Sequence, residues 1–254
     1  MPKKGNLTET AIRNHEEFFP HYQSTLPSTD PELIEVFDNF AFDEVIAYGG
    51  LDTKTRVMMI VASTIASQAL TEYKVMLGAA LNIGVTAIEL KEILYQSVPY
   101  VGVAKVVDFI HATNEILQSR GIKLPLEGQS TTTPETRHEK GLKVQKEIFG
   151  EMIDKMYNES PKNQLHIQKY LSANCFGDCL TRKGLNIKTR ELLTFVMLIS
   201  LGGVEPQVKG HIQGNVNVGN DKEILLSVVT QLLPYIGYPR TLNAISCLNE
   251  VLPE

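Results

Sequence analysis

Two thiols and one imidazole are the side chains of this sequence best suited to chemistry. Cys175 and Cys179 stand four residues apart in Cys175-Phe-Gly-Asp-Cys179, and His211 follows in Glu205-Pro-Gln-Val-Lys-Gly-His211. On a helix, residues four apart lie one above the other with Cα atoms ~6 Å apart, inside the disulfide range although the Cβ directions are less favourable. A base or a helix N-terminus beside Cys175 would lower its pKa and make it a nucleophile or redox thiol, with Cys179 as a resolving partner. The opposing reading makes both cysteines small buried apolar residues, and for Cys179 that reading is preferred. His211 is a candidate acid or base near neutral pH. Glu205 could set its tautomer, although a glutamate in a first helical turn is also explained by the helix dipole alone.

Substrate contacts are expected from Gln207, Arg182 and Arg240, the arginines as anion binders. Arg190 has a counterpart in Arg56, which points to a structural ion pair instead. No Gly-rich phosphate loop, Gly-x-Ser-x-Gly elbow or His-Glu-x-x-His is present, and the six histidines show no metal-ligand spacing. No metal and no organic cofactor is called for.

The elements that must position these residues occur twice. Leu51-Asp-Thr-Lys-Thr-Arg56 is repeated as Leu185-Asn-Ile-Lys-Thr-Arg190, and Asn82-Ile-Gly84 as Asn217-Val-Gly219. Gln96-Ser-Val-Pro-Tyr-Val-Gly102 returns as Gln231-Leu-Leu-Pro-Tyr-Ile-Gly237, and Asn114-Glu-Ile-Leu117 as Asn249-Glu-Val-Leu252. The offset is 134 residues at the start and 135 at the end, so the chain reads as one module in tandem. Domains are expected at 1–126 and 135–254, joined by a Ser/Thr/Pro/Gly linker over 127–134. The first copy has Ala41-Phe-Asp-Glu-Val45 where the second has its cysteines, and Met76 or Leu77 where the second has His211, so any site is expected in the second copy.

Each copy reads as helices. Lys54–Gln68 and Glu191–Leu201 are apolar nearly all round, which predicts buried helices and an interface role. Thr86 with Glu89 predicts a capping box, and Asp221 caps at the matching place. Pro99 and Pro234 are expected to end the following helices, with Gly102 and Gly237 at the turns. No Val/Ile-rich alternation calls for strands, so the fold class is all-α.

The 254 residues are 43% hydrophobic and 21% charged, with a formal net charge of -5, which disfavours nucleic-acid binding. No apolar run is long enough to span a bilayer, and Met1-Pro-Lys-Lys is not followed by the apolar stretch of a secretory signal. Three cysteines without such a signal predict a reducing, cytoplasmic setting.

The run Cys175-Phe-Gly-Asp-x4-Lys-Gly-Leu-x-x-Lys-Thr-Arg-Glu-Leu192, then Leu201-Gly-Gly-x-Glu-x-Gln-x-x-x-His211, Asn217-x-Gly219 and Leu233-Pro-Tyr-x-Gly-x-Pro239 resembles the carboxymuconolactone decarboxylase family. Glu139-Lys-Gly-Leu142 also fits, and the first copy looks like a degenerate version of the same module. The resemblance implies an alkylhydroperoxidase D-like helical fold and a ring of three tandem chains, a pseudo-hexamer. It also implies two chemistries. One is a cofactor-free decarboxylation of a small carboxylated lactone, with the histidine at position 211 as acid or base. The other is thiol redox chemistry through Cys-x-x-Cys-x-x-x-His, whose cysteines would fall on Val204 and Gln207, where this chain has none.

Three readings follow, in order of preference. The first is a thiol peroxidase or disulfide oxidoreductase with Cys175 as thiolate, His211 as its base, and a separate thiol reductant as partner. The second is a cofactor-free carboxy-lyase using His211. The third is a non-catalytic helical assembly module.

Overall fold

A computed structural model describes residues 6–20 and 24–253. Met1–Gly5 and His21, which entered the signal-peptide and metal-spacing arguments, lie outside the described residues. The first module contains α1 (Glu9–Phe18), α2 (Leu26–Thr29), α3 (Pro31–Asn39), a π-helical turn (Phe40–Glu44), α4 (Thr53–Ala66), α5 (Leu70–Ile83), α6 (Ala87–Val101) and α7 (Val103–Ser119). The second contains α8 (Arg137–Phe149), α9 (Met152–Glu159), α10 (Leu165–Tyr170), a π-helical segment (Leu171–Leu180), α11 (Ile187–Leu201), α12 (Glu205–Asn217) and α13 (Lys222–Val251). Among the described residues there is no strand.

The repeated motifs perform the same local tasks in both copies. Asp52 and Asn186 cap α4 and α11 by accepting from the backbone N–H groups of Thr55 and Thr189. Thr86 and Glu89 form the expected capping box on α6, and Asp221 caps α13. The Asn-x-Gly motif ties helix to helix: Asn82 donates to the carbonyl of Phe18 at 2.9 Å, and Asn217 to that of Ile148 at 2.7 Å. The prolines do not end their helices. α6 runs through Pro99 to Val101 and breaks at Gly102 (φ 90°), and α13 runs through Pro234 and kinks at Gly237 (φ 75°, ψ 166°). A proline removes one backbone donor, which a helix near its end tolerates, whereas the break itself needs the positive φ that glycine adopts without strain.

α4 and α11 form the centre. Every residue from Arg56 to Ala66 and from Arg190 to Ser200 is buried, and one continuous apolar core draws on both modules. Ser200 Oγ donates to Ser63 Oγ at 2.9 Å where the two helices cross. α6 of the first module also lies along α11 of the second. Glu92, Gln96 and Tyr100 recur every four residues on one face of α6, opposite Arg190, Thr194 and Leu198 on one face of α11. Glu92 Oε2 accepts from the Arg190 guanidinium at 2.8 Å, and Gln96 accepts from it at 3.1 Å while donating to the Arg190 carbonyl and the Thr194 hydroxyl. Arg182 closes on the same Glu92 carboxylate in bidentate fashion. Arg190 is therefore a structural ion-pair residue, whereas its counterpart Arg56 makes no ion pair among the described residues and lies over the Phe18 ring, 4.5 Å from its centroid.

The cysteine-bearing segment is π-helical, and its wider turn is matched to α8 by two glycines. A Cβ on Gly141 would lie 1.9 Å from the Ser172 carbonyl oxygen, and one on Gly177 would lie 2.1 Å from the Arg137 carbonyl oxygen. Both obstacles are backbone, so neither can yield cheaply. Gly141→Ala is expected to destabilise the protein by about 3 kcal/mol, at the upper end of the usual cost of overpacking. Gly50→Ala, where an added Cβ meets nothing within 4 Å, is the control. Thermal melts of the two variants measure the difference, and equal melting temperatures would show that α8 does not depend on this close approach.

Candidate active site

A cavity of about 410 Å³ opens between the two modules. α12 supplies Gln207, Gly210 and His211, and the π-helical segment supplies Leu171, Cys175 and Phe176. α8 and α9 supply Gln145, Phe149, Met152, Ile153 and Met156, and Leu198 comes from α11. The first module contributes Pro99 and Tyr100 from the end of α6. The second module's cavity is thus completed by the first, through the same α6–α11 register that places Glu92 against Arg190.

His211 is held on two sides. Its Nδ1 lies 2.8 Å from Glu191 Oε2, and its ring meets the edges of Phe149 and Tyr100 at centroid distances of 5.2 and 6.1 Å. Glu191 is fully buried, and its Oε1 has no hydrogen-bond partner among the described residues. The neutral imidazole consistent with this contact carries its proton on Nδ1 and leaves Nε2 to the cavity. α12 approaches Glu191 closely because position 214 is glycine: a Cβ there would lie 2.9 Å from Glu191 Oε2. Asn215 locks the two helices together by donating to the carbonyls of Glu191 and His211 at 3.1 and 2.7 Å, and Asn220 donates in turn to Asn215 Oδ1 at 2.8 Å.

Cys175 lies on the same cavity wall but does not pair with His211. Its thiol donates to the Tyr100 hydroxyl at 3.7 Å. Burial pushes the Cys175 thiol up to about 12 and the Cys179 thiol up to about 11. Burial also raises Tyr100 well above the ordinary phenol value, so its hydroxyl stays protonated. The depressed thiol pKa that redox attack requires is absent, because the environment is apolar and the neighbouring charge of Glu191 is negative. Cys175 and Cys179 are both free thiols.

Of the residues expected from sequence, the structure brings Cys175, His211 and Gln207 to one cavity. Cys179 sits outside its lining and is influenced by Asp178, Arg182, Arg190 and Glu92. Glu205 is not the partner of His211: it begins α12 and lines a narrow cleft with Arg240 and Cys247. Arg240 packs over Gly202 in that cleft, and Arg182 is committed to Glu92 at 2.9–3.0 Å, so neither arginine faces the His211 cavity. Chain distance misleads here. Positions 205 and 211 lie on one helix but not on one face, whereas Glu191 comes from the adjacent helix. The signal for Glu191 was present in the repeat: Val57 stands there in the first copy, and Met76 stands for His211. Tyr100 was hidden because Tyr235 occupies the matching position and made it look structural.

A raised thiol pKa has a linkage consequence with a definite sign. The unfolded Cys175 ionises near 9 and the folded one near 12, so the unfolded state holds fewer protons between those values. Stability is therefore full below pH ~9 and falls above it by about 1.4 kcal/mol per pH unit for each such thiol. Cys175→Ala should flatten this decline in urea melts between pH 8 and 10. Native Cys175 should also resist iodoacetamide at pH 8 and react once the chain is unfolded, as read by peptide mass spectrometry. Rapid native alkylation that depends on His211 would restore the redox thiol.

The Carboxymuconolactone decarboxylase family matches the chain twice, over residues 31–115 and 166–250. The 4-carboxymuconolactone decarboxylase of Acinetobacter baylyi is 30% identical over 124 residues, which are 47% of this chain and 90% of that protein. One such protein corresponds to about half of the chain. Two successive matches, on two copies of the same helical arrangement, make this chain a member of the carboxymuconolactone decarboxylase family in a tandem, two-module form.

Proposed function

We propose that the protein is a cofactor-free carboxy-lyase in which His211 transfers the proton and Glu191 orients it. The observation that carries this reading is the 2.8 Å contact between His211 Nδ1 and the buried Glu191 carboxylate at the wall of a mostly apolar cavity. A buried carboxylate on Nδ1 fixes the ring and stabilises the imidazolium when it forms. Nε2 is then the atom that gives or takes a proton.

The chemistry needs only these side chains. As the bond from the substrate carbon to its carboxylate breaks, carbon dioxide leaves, and the electron pair passes into a conjugated carbonyl. The Nε2–H of imidazolium then delivers a proton to the carbon, and the ring takes one back from water. The protonated Tyr100 hydroxyl, on the same wall, is suited to hydrogen-bond the carbonyl oxygen as charge gathers there. An apolar lining favours the neutral product over the charged carboxylate. No lysine or arginine lines the cavity among the described residues. A substrate with one carboxylate, the one that leaves, thus suits it better than a dicarboxylate.

Decarboxylation of a panel of carboxylated lactones, 4-carboxymuconolactone included, tests this. His211→Ala should lower kcat by at least ~100-fold, Glu191→Gln by a smaller factor, and Cys175→Ser by less than threefold. Reduction of organic hydroperoxides that depends on Cys175, with no lactone turnover, would replace this reading with the thiol one.

A trimer of tandem chains is part of the same proposal. Val103 and Val107 on α7 are exposed apolar residues, and so are Tyr238 and Leu242, their counterparts 135 residues later on α13. A patch repeated in both modules supports a ring in which the two meet. Light scattering should give a mass three times the 28.3 kDa chain, and Tyr238→Glu should lower it.

A further inference from the structure

A second cavity, of about 520 Å³, borders Glu92 and Arg182 and shares no lining residue with the His211 cavity. Its walls are α6, α7 and the chain segment between the modules, with Arg182 at one side. That segment is docked rather than loose: the Lys183 N–H donates to the Gln129 carbonyl at 2.9 Å, and the Thr131 hydroxyl donates to the Thr181 carbonyl at 2.9 Å.

Lys91 is the residue that this cavity leaves unexplained. It is only 7% exposed, and its ammonium donates to Asn114 Oδ1, a neutral acceptor. An ammonium has three donors, and among the described residues no carboxylate lies within ion-pairing distance of this one. The nearby charges do not compensate it. The carboxylate next to it in the chain, Glu92, is taken by Arg182 and Arg190 and does not pair with Lys91. Glu127, on the cavity rim, is exposed and makes no ion pair among the described residues. A buried ammonium is costly unless an anion joins it. Burial lowers the Lys91 pKa, as expected of an ammonium without a counter-charge.

The remaining walls describe the ligand. The Tyr95 ring has Arg182 Cζ 5.2 Å and Lys91 Nζ 5.9 Å from its centroid, and Ile88, Ile110 and Leu126 supply apolar surface. We propose that this cavity binds a small organic anion, a carboxylate on an apolar body, with the carboxylate on Lys91 and the body against Tyr95 and the inter-module segment. The second module has no equivalent. Leu226 stands for Lys91, Thr230 for Tyr95 and Tyr48 for Arg182. The site is separate from the His211 cavity, with which it shares no lining residue.

The test is isothermal titration of the full chain with benzoate, and with benzamide as its uncharged counterpart. Benzoate should bind wild type and His211→Ala alike, at least tenfold more tightly than benzamide, and at least tenfold more weakly to Lys91→Met. Should Lys91→Met fail to fold, benzoate should still protect wild-type Lys91 from acetylation by acetic anhydride, read by peptide mass spectrometry. The proposal is overturned by the absence of saturable benzoate binding, by equal binding to Lys91→Met, or by unchanged Lys91 acetylation. Loss of binding in His211→Ala also overturns it, by placing the anion in the other cavity.

Discussion

The buried ion pair between Glu92 and Arg190 is the constraint on which the rest of the molecule depends. It joins α6 of one module to α11 of the other at 2.8 Å, with both side chains almost fully excluded from water. Such a pair contributes little net stability relative to an apolar replacement, but breaking it leaves an uncompensated charge and costs about 3–5 kcal/mol. Its value here is in register. Glu92, Gln96 and Tyr100 follow one another every four residues, so fixing the first against Arg190 fixes the last against His211 and Cys175. One ion pair thereby sets the geometry of a cavity two helical turns away.

The residue after Arg190 turns this scaffold into a candidate site. Glu191 is on the same helix but faces α12, where the glycine at 214 lets the histidine-bearing helix come close and Asn215 holds it there. The first module shows what the arrangement becomes without that function. Val57, Met76 and Ala79 stand where the second has Glu191, His211 and Gly214, and Ala41 stands for Cys175. Carboxylate, imidazole and the glycine that makes room for them have been exchanged together for apolar packing. The first module keeps a part in the site all the same, because Tyr100 closes the cavity of the second.

The two thiols illustrate how burial decides chemistry. Cys175 shares a cavity wall with His211, yet its partner is a phenol and its nearest influential charge is a carboxylate. Burial and the carboxylate favour the thiol, and together they outweigh the phenol hydrogen bond, which favours the thiolate. The same apolar lining that silences the sulfur suits a reaction in which a carboxylate is lost as a neutral gas.

The helices, their caps and the tandem organisation were legible in the sequence, because they depend on local rules: Asp52, Asn186, Thr86 and Asp221 cap wherever a helix starts, and a repeat declares itself by its offset. That any site would fall in the second copy was also within reach, since it alone carries Cys175 and His211; that they share one cavity with Gln207 was decided by the fold. The partner of His211 was not legible, because Glu205 is near it in the chain and Glu191 is near it in space. Arg182 and Arg240 looked free as unpaired cations in a string of residues. The fold commits Arg182 to Glu92, 90 residues away, and places Arg240 over Gly202 in another cleft. The stretch Leu124–Gln129 read as chain running up to and into a linker and proved to be a cavity wall. Sequence determined what each segment would become, through propensity and periodicity. Only the packing of α6 on α11 and of α11 on α12 decided which charges meet, because a contact between distant segments is set by the register of whole helices and not by their spacing along the chain.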